Sequence, residues 1–284
     1  MATFFNQATL SYSGGQTSSN IVSGELVEAL TITKTATLDT YRSGECLTYV
    51  IGLVNTSVSP IGPITLSDDL GAITTETGTV YPLSYIEGSA ELFINGVPAT
   101  APTAIAGPPL LLSGITVPAG GNAVVVYSVD VTEFASPEEG GSIVNTITAS
   151  GAGIATPVSA SETVTAADGP LLSITKAVDP VQVVGGEPLT YTFVISNSGN
   201  TPATATDDVT VTDVFDPILN ITSVTLDGTP LAEVTDYSYD EGTGVFTTVP
   251  GRITVPAATF TVDPVTGAFV TTPGTTTLTV TGTV

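Results

Sequence analysis

The sequence predicts an all-β protein built from two tandem Ig-like, Greek-key β-sandwiches that follow an N-terminal donor strand. Five segments are rich in Val, Ile, Thr and Tyr, and many of them alternate apolar with polar residues as half-buried strands do: 47–54, 122–131, 189–196, 208–215 and 275–284. The 29 glycines and 20 prolines supply turns of the kind that Greek-key sandwiches contain. No segment carries a sustained helical period, so almost no helix is expected.

The sequence contains an internal repeat. Leu30–Lys34 (LTITK) recurs as Leu172–Lys176 (LSITK), and Gly44–Tyr49 (GECLTY) recurs as Gly186–Tyr191 (GEPLTY). Further matches join Asn55 to Asn197, Thr65–Asp68 to Thr210–Asp213, and Ile115–Ala119 to the identical Ile253–Ala257. A fixed repeat of this kind predicts two homologous sandwiches. We place them at 27–165 and 170–284, after a donor strand and linker at 1–26.

The two copies differ at their C-terminal ends. Copy one continues past its strand at 122–131 to a predicted last strand at 142–148, which contains Asn145. Copy two carries an additional predicted hairpin around 262–267, reaches its matching strand at 275–284, and has no counterpart of the Asn145 strand. A sandwich that lacks this strand has an open sheet edge and an uncovered groove over its core.

The N-terminal segment resembles the strand that copy two lacks. Phe4–Ser11 aligns with Ile143–Ser150, which places Asn6 at the position of Asn145, and both segments lead through a Ser/Thr-rich run into an LxITK motif. We predict that residues 1–13 of one subunit complete copy two of the next, in a head-to-tail contact that propagates into a filament. Two alternatives stay open: an ordinary first strand of its own chain, and intramolecular docking into copy two.

The composition excludes several classes of function. The chain of 284 residues has 27 acidic residues, 4 basic residues and no histidine, so its formal net charge is −23. Four positive charges cannot neutralise a nucleic-acid backbone, and they disfavour binding to anionic membranes. Without histidine, and with Cys46 as its single cysteine, the chain lacks the usual nucleophile–base pairs, an internal disulfide and a thiolate zinc site. We therefore expect no enzyme with an external substrate, no cofactor and no metal.

Lys34 and Lys176 are the only lysines, and they occupy the same position in the two repeats. Each follows an isoleucine by two residues on a predicted strand, so the two side chains share one face. If that face is the core, burial favours the neutral amine, which is a nucleophile. We predict that Lys34 attacks the carboxamide of Asn145 and releases ammonia to form an isopeptide bond, with Asp68 as a buried acid that polarises the carboxamide and shuttles protons.

The same reasoning pairs Lys176 with Asn6 of another subunit, beside Asp213, and predicts a covalent link between subunits. Two alternatives stay open. Glu45 and Glu187 also match between the repeats and are the other candidate acids. Both lysines could instead form only salt bridges with the two aspartates.

These motifs resemble a known family. LxITK, GExLTY, an Asn-containing strand and T-x-[ST]-Asp are similar to the bacterial surface repeat known as domain of unknown function eleven. That family is similar to collagen-adhesin and pilin modules whose Lys–Asn isopeptide bonds form autocatalytically beside an acid. The resemblance implies a bond from Lys34 to Asn145 beside Asp68, and another from Lys176 to Asn6 beside Asp213. Together with the head-to-tail contact predicted above, these features predict a structural subunit of an extracellular fibre.

Location and the competing function are less constrained. The N-terminus lacks the basic and apolar regions of a secretory signal peptide, and no apolar run reaches the ~18 residues of a membrane span. The chain resembles spore-appendage subunits in lacking a signal peptide, which implies the surface of a bacterial cell or spore. The alternative function is a monomeric two-domain surface adhesin. Its candidate glycan-binding face would contain Tyr81, Tyr85, Tyr237 and Tyr239.

Overall fold

The computed structural model describes residues 2–26, 28–75 and 78–284, and its fold is all-β, as predicted. Strands make up 57% of the chain. The described residues contain no α-helix, only a 3₁₀ turn at Ala205–Asp207. None of them forms a helix with the length and apolar character needed to cross a membrane.

The chain divides into two compact units. Unit 1 comprises residues up to Ala135 together with Ser142–Thr165, and unit 2 comprises Ser136–Gly141 together with Ala166–Val284. The predicted boundary between the donor segment and the first sandwich falls at Val27, which lies outside the described residues.

The N-terminal segment pairs with itself. Residues 2–26, here called the N-terminal hairpin, contain four strands: β1 (Ala2–Asn6), β2 (Thr9–Tyr12), β3 (Gly15–Ser18) and β4 (Val22–Leu26). β1 pairs with β4 and β2 pairs with β3, so the segment folds back on itself around a turn at residues 13–14. Its apolar side chains are exposed to solvent: Phe4, Phe5, Leu10, Tyr12, Ile21 and Val22.

The body of unit 1 is a sandwich of two six-stranded sheets. Its strands are β5 (Leu30–Ala36), β6 (Thr40–Tyr41), β7 (Cys46–Asn55), β8 (Ile61–Asp68), β9 (Ile73–Thr75), β10 (Gly78–Val80), β11 (Leu83–Tyr85), β12 (Glu91–Ile94), β13 (Val97–Ala99), β14 (Thr103–Ile105), β15 (Leu110–Val117), β16 (Asn122–Val131), β17 (Ser142–Gly151) and β18 (Val158–Ala166). The first sheet has the order β13-β12-β16-β7-β5, with β11 also on β16, and the second has the order β14-β15-β8-β17-β18-β6. β9 and β10 form a separate small hairpin.

The core of unit 1 follows from strict alternation on the central strands. On β7 the side chains of Leu47, Tyr49, Ile51 and Leu53 are buried, while the residues between them are less so. Successive side chains of a strand point to opposite faces, so these four side chains lie on one face of the first sheet. Side chains of the second sheet pack against that face and close the sandwich.

The predicted last strand of copy one is not the last strand. β17 contains Asn145 as expected, but β18 follows it, and the two pair antiparallel along eight residue pairs. The polar composition of 158–166 does not by itself predict a strand, yet Val164 and Ala166 at its end are buried. β17 therefore lies between β8 and β18, and copy one ends in a hairpin rather than a single strand.

Unit 2 repeats the first sheet but not the second. Its strands are β19 (Leu172–Asp179), β20 (Pro188–Asn197), β21 (Thr212–Val214), β22 (Asn220–Leu226), β23 (Thr229–Pro230), β24 (Tyr237–Asp240), β25 (Val245–Thr248), β26 (Thr259–Val262), β27 (Phe269–Thr272) and β28 (Gly274–Thr283). They form a five-stranded sheet β19-β20-β28-β22-β23 and a three-stranded sheet β21-β25-β24. The predicted additional hairpin is confirmed as β26 and β27.

The strand predicted at 208–215 is shorter than expected. Only Thr212–Val214 is a strand, and its partner is β25. Its counterpart β8 spans eight residues because it has a ladder on each side, with β15 and with β17. The described part of unit 2 contains no strand equivalent to β17, so one edge of β21 has no ladder.

A buried asparagine performs the same structural task in both units. Asn197 donates from Nδ2 to the carbonyl oxygens of Thr201 (2.8 Å) and Pro256 (3.1 Å), and its Oδ1 accepts from the backbone N–H groups of Leu171 and Gly199 (both 2.9 Å). Asn55 bonds its own loops in the same manner. The matching positions of these asparagines in the repeat are therefore explained by loop closure.

Asn197→Ala is expected to lower the free energy of unfolding of unit 2 by about 1–3 kcal/mol, because buried backbone groups lose their partners. Urea unfolding monitored on the unit 2 transition measures this. Asn220→Ala, at an exposed position of the same unit, is the control and should change little. Equal effects from the two variants would contradict this role.

Candidate functional site

Lys34 is buried inside unit 1 beside an acid. Its side chain and that of Asp68 are 0% and 1% exposed, and the two form an ion pair. Lys34 Nζ also donates to the Tyr127 hydroxyl at 3.1 Å, and that hydroxyl donates in turn to Asp68. The ring of Tyr49 lies beneath the ammonium group, with its centroid 4.6 Å from Nζ. β5, β8 and β16 thus each contribute one member of a closed polar triangle within an apolar core.

Burial alters the protonation of this cluster. Desolvation lowers the pKa of Lys34 below its ordinary value, although the neighbouring Asp68 acts in the opposite direction. Burial raises the pKa of the Tyr127 hydroxyl well above its ordinary value, and the charge of Asp68 adds to this. Burial therefore shifts the equilibrium of Lys34 toward its neutral form and that of Tyr127 toward its protonated form.

Asn145 completes the cluster from the second sheet. It is fully buried, and neither its Nδ2 nor its Oδ1 has a hydrogen-bond partner among the described residues. Burial raises the pKa values of Tyr49 and Tyr127. The Asn145 side chain lies near both hydroxyl groups and offsets part of this rise, although it forms no hydrogen bond with either of them. The Cα atoms of β5 and β17 approach within 8 Å. A buried carboxamide without partners costs stability, so it calls for another explanation.

Asp69 holds the Asn145 strand in place. Its Oδ1 accepts hydrogen bonds from the backbone N–H groups of Thr146 and Gly71, both at 2.9 Å. The sequence alone does not distinguish Asp69 from its neighbour Asp68, and the structure separates the two roles. Asp68 faces Lys34, whereas Asp69 binds the backbone beside Asn145.

The alternative acids lie elsewhere. Glu45 is exposed, and its carboxylate accepts a hydrogen bond from the backbone N–H of Arg42 at 2.9 Å. Glu187 is exposed as well. The ion pairs of the two lysines are with Asp68 and Asp213, so the aspartates, and not these glutamates, lie beside the lysines.

Two residues of the Lys34 site, Tyr49 and Tyr127, are not among those predicted from the sequence. Tyr49 matches Tyr191 in the repeat, so its recurrence in GExLTY was an available signal. Tyr127 had no such signal, because the residue that pairs with Tyr191 in unit 2 is Val280, whereas Tyr127 pairs with Tyr49 in unit 1. The repeat comparison therefore could not identify it.

Unit 2 contains the same lysine–aspartate pair in an open setting. Lys176 forms an ion pair with Asp213, and their side chains are 40% and 18% exposed. Three aromatic rings surround the ammonium group, those of Tyr191, Phe193 and Phe215, with centroids 4.6, 5.4 and 5.5 Å from Nζ. The aromatic setting of Lys34 is therefore reproduced, but the cover over it is not.

The missing cover leaves an apolar groove beside Lys176. Leu172 and Ile174 of β19 are 38% and 53% exposed, although the matching Leu30 is buried in unit 1. The groove, here called the unit 2 groove, is lined by Leu172, Ile174, Ile195, Val209 and Val211. In unit 1 the equivalent edge at 64–68 pairs with β17, whose inward side chains are buried.

Asn6 lies exposed on β1, where it pairs with Val22 of the same hairpin. Its contact with Lys176 of another subunit stays a prediction.

The described residues hold no cluster of three or more Asp, Glu or Cys side chains that could bind a metal ion, and Cys46 is an exposed free thiol. Two tyrosines of the proposed glycan-binding face, Tyr85 and Tyr237, are buried core residues, so that interpretation was wrong for them.

Comparisons with known proteins give weak likenesses. No protein-family model and no curated protein matches the chain, so the family resemblance stays a prediction. The major pilin subunit of Bacillus cereus is 12% identical over 96% of this chain and 73% of its own, with a TM-score of 0.35. The Streptococcus pneumoniae pilus backbone is 13% identical over 86% of this chain and 55% of its own, with a TM-score of 0.33.

A family 123 glycoside hydrolase from Clostridium perfringens is similar at the same level. It is 13% identical over 48% of this chain, which spans only 27% of that enzyme's length, with a TM-score of 0.31. Likenesses of this size carry no argument about function.

Proposed function

We propose that this protein is the structural subunit of an extracellular fibre on a bacterial cell or spore, assembled head to tail from copies of itself. One observation carries the proposal. The same lysine–aspartate pair is covered by an asparagine-bearing strand in unit 1 and lies beside an open groove in unit 2. The chain also carries, at its N-terminus, an exposed strand with an asparagine at the matching position.

Within unit 1 the proposed chemistry is a transamidation. Neutral Lys34 Nζ attacks Cγ of Asn145, the new Nζ–Cγ bond forms, and the Cγ–Nδ2 bond breaks. Asp68 takes a proton from the attacking amine and passes it to the departing nitrogen, which leaves as ammonia. No oxidant or cofactor is needed. Asn145 has no hydrogen-bond partner among the described residues, which supports this, because no hydrogen bond has to break before its carboxamide reacts.

Between subunits the same reaction would join Lys176 to Asn6 of the next copy. Here the donor first docks in the unit 2 groove, adding a strand to the free edge of β21. Docking would exclude water from Lys176 and Asp213 and reproduce the dry setting of Lys34. The excess of 27 acidic over 4 basic residues would keep such a polymer soluble and resist lateral clumping.

A boiled, reducing, denaturing gel of the purified protein, with intact mass taken on each band, tests this proposal. The expected result is a ladder of multiples, in which each band lacks one ammonia for every predicted bond. A monomer lacking one ammonia would retain the Lys34 bond and remove the covalent polymer. A monomer at full sequence mass would contradict both bonds and favour the alternative, a monomeric two-domain adhesin.

A further inference from the structure

We infer that the donor is the whole N-terminal hairpin of a second copy of this chain, rather than a single strand. This inference rests on the proposed head-to-tail assembly and specifies its partner surface. It begins from β18, which makes the segment missing from unit 2 a hairpin of two strands. A donor of residues 1–13 would supply only one of them.

The N-terminal hairpin resembles the hairpin that unit 2 lacks in its strand pairing, although its two ladders are separated by two residues on the first strand (7–8) and three on the second (19–21), whereas β17–β18 is one continuous ladder. In β17–β18, Asn145 pairs with Glu162, and in the N-terminal hairpin Asn6 pairs with Val22. The pairs on either side also correspond: Phe4–Gly24 with Ile143–Val164, Phe5–Ser23 with Val144–Thr163, Thr9–Ser18 with Thr148–Ser159, and Leu10–Thr17 with Ala149–Val158. Both segments are antiparallel hairpins with an asparagine at the matching position of the first strand, so they are suited to the same site despite the one extra residue in the second strand of the N-terminal hairpin.

Packing on the inner face agrees with this correspondence. Phe4 shares a strand face with Asn6, and its ring covers Gly24 so closely that an added Cβ would lie 2.4 Å from it. In unit 1 the matching pair is Ile143 and Val164, both buried. Phe4 and Gly24 thus take the places of Ile143 and Val164, and the total side-chain volume available to fill the core stays similar.

Unit 2 offers one sheet edge, at β21, and one exposed loop, at Val181, which match the two places where the unit 1 hairpin is bonded. In unit 1 the first strand of the hairpin, β17, pairs with β8, where Thr148 lies opposite Ser67. The second strand, β18, is bonded on its other side, where the Thr165 N–H donates to the Asp39 carbonyl at 3.0 Å. The repeat places Thr212 at the position of Ser67 and Val181 at that of Asp39. Val181 is 84% exposed, an apolar side chain with no cover. A single donor strand would pair at Thr212 and leave the loop at Val181 uncovered.

Pairs of cysteines test this register in full-length chains that carry Cys46→Ser. One pair, Thr9→Cys with Thr212→Cys, reports the first donor strand. The second pair, Glu25→Cys with Val181→Cys, reports the second strand, because Glu25 corresponds to Thr165. The two members of each pair are placed on separate chains produced together in one cell, so that any mixed disulfide joins two subunits.

Mixed disulfides are quantified by mass spectrometry of digested, unreduced protein, and they form only where Cα atoms come within about 7 Å. Glu25→Cys with Val265→Cys is the matched control, because Val265 is 83% exposed, as Val181 is. We expect both test pairs to exceed the control by about tenfold or more, since docking raises the effective concentration.

The outcomes separate the two proposals. Cross-linking of Thr9→Cys with Thr212→Cys alone would overturn the hairpin and leave single-strand assembly standing. Cross-linking of Glu25→Cys with Val181→Cys alone would overturn the register between the first donor strand and β21. Neither cross-link above the control would overturn head-to-tail assembly itself.

Discussion

Asp68→Asn is expected to leave unit 1 without the proposed isopeptide bond, so each chain should retain one more ammonia than the wild type. Asparagine has nearly the same shape but carries no charge and cannot accept the proton from Lys34. The unreacted Lys34 amine is then buried without the carboxylate that it faces, which destabilises unit 1. Loss of a covalent loop closure of about 110 residues acts in the same direction, by roughly 4–5 kcal/mol. Intact mass and urea unfolding of unit 1 measure the two effects.

Asp69→Asn is the matched control at the adjacent position. Its Oδ1 would still accept the backbone N–H groups of Thr146 and Gly71, so the bond and the mass should match the wild type. An Asp68→Asn chain that loses ammonia as completely as the wild type would show that this carboxylate is not the acid. Loss of the bond only in Asp69→Asn would reverse the assignment.

Phe4→Ala is expected to weaken subunit association by about 10²- to 4 × 10³-fold. Phe4 occupies the position of Ile143, whose side chain is buried, so docking would bury the phenylalanine ring. Truncating a buried phenylalanine to alanine costs about 3–5 kcal/mol, and each 1.4 kcal/mol is about tenfold in affinity. Light scattering over a concentration series measures it, in chains with Asn6→Ala so that no covalent link between subunits forms.

Phe5→Ala is the paired control. Both phenylalanines are exposed in the free hairpin, but Phe5 corresponds to Val144, which stays exposed in unit 1. It should therefore change association little. Similar losses from the two variants would mean that the hairpin does not bury the face that carries Asn6.

The repeat makes much of the site predictable from the sequence. Lys34, Asp68 and Asn145 stand out because matching residues recur at Lys176, Asp213 and Asn6, and the structure places the first three in one buried cluster. Burial of Lys34 follows from its shared face with Ile32. The proximity of the three residues is therefore predictable, whereas the reaction itself still requires the mass measurement.

Other elements depend on pairing that sequence patterns do not report. The polar segment at 158–166 becomes a strand because β17 supplies its ladder, and only its last residues are buried. The opposite happens at 208–215, whose composition favours a strand but whose free edge limits it to three residues. In both cases tertiary pairing overrides local propensity.

The positions of Lys34 and Asn145 also bear on mechanics. The chain enters the body of unit 1 at β5 and leaves it through β17 and β18. A covalent bond between these positions would carry tension directly from one end of the body to the other, so residues 35–144 would bear no load. Pulling on such a fibre would stretch only the short connections outside the bond, and unit 1 would resist extension without relying on its hydrogen bonds.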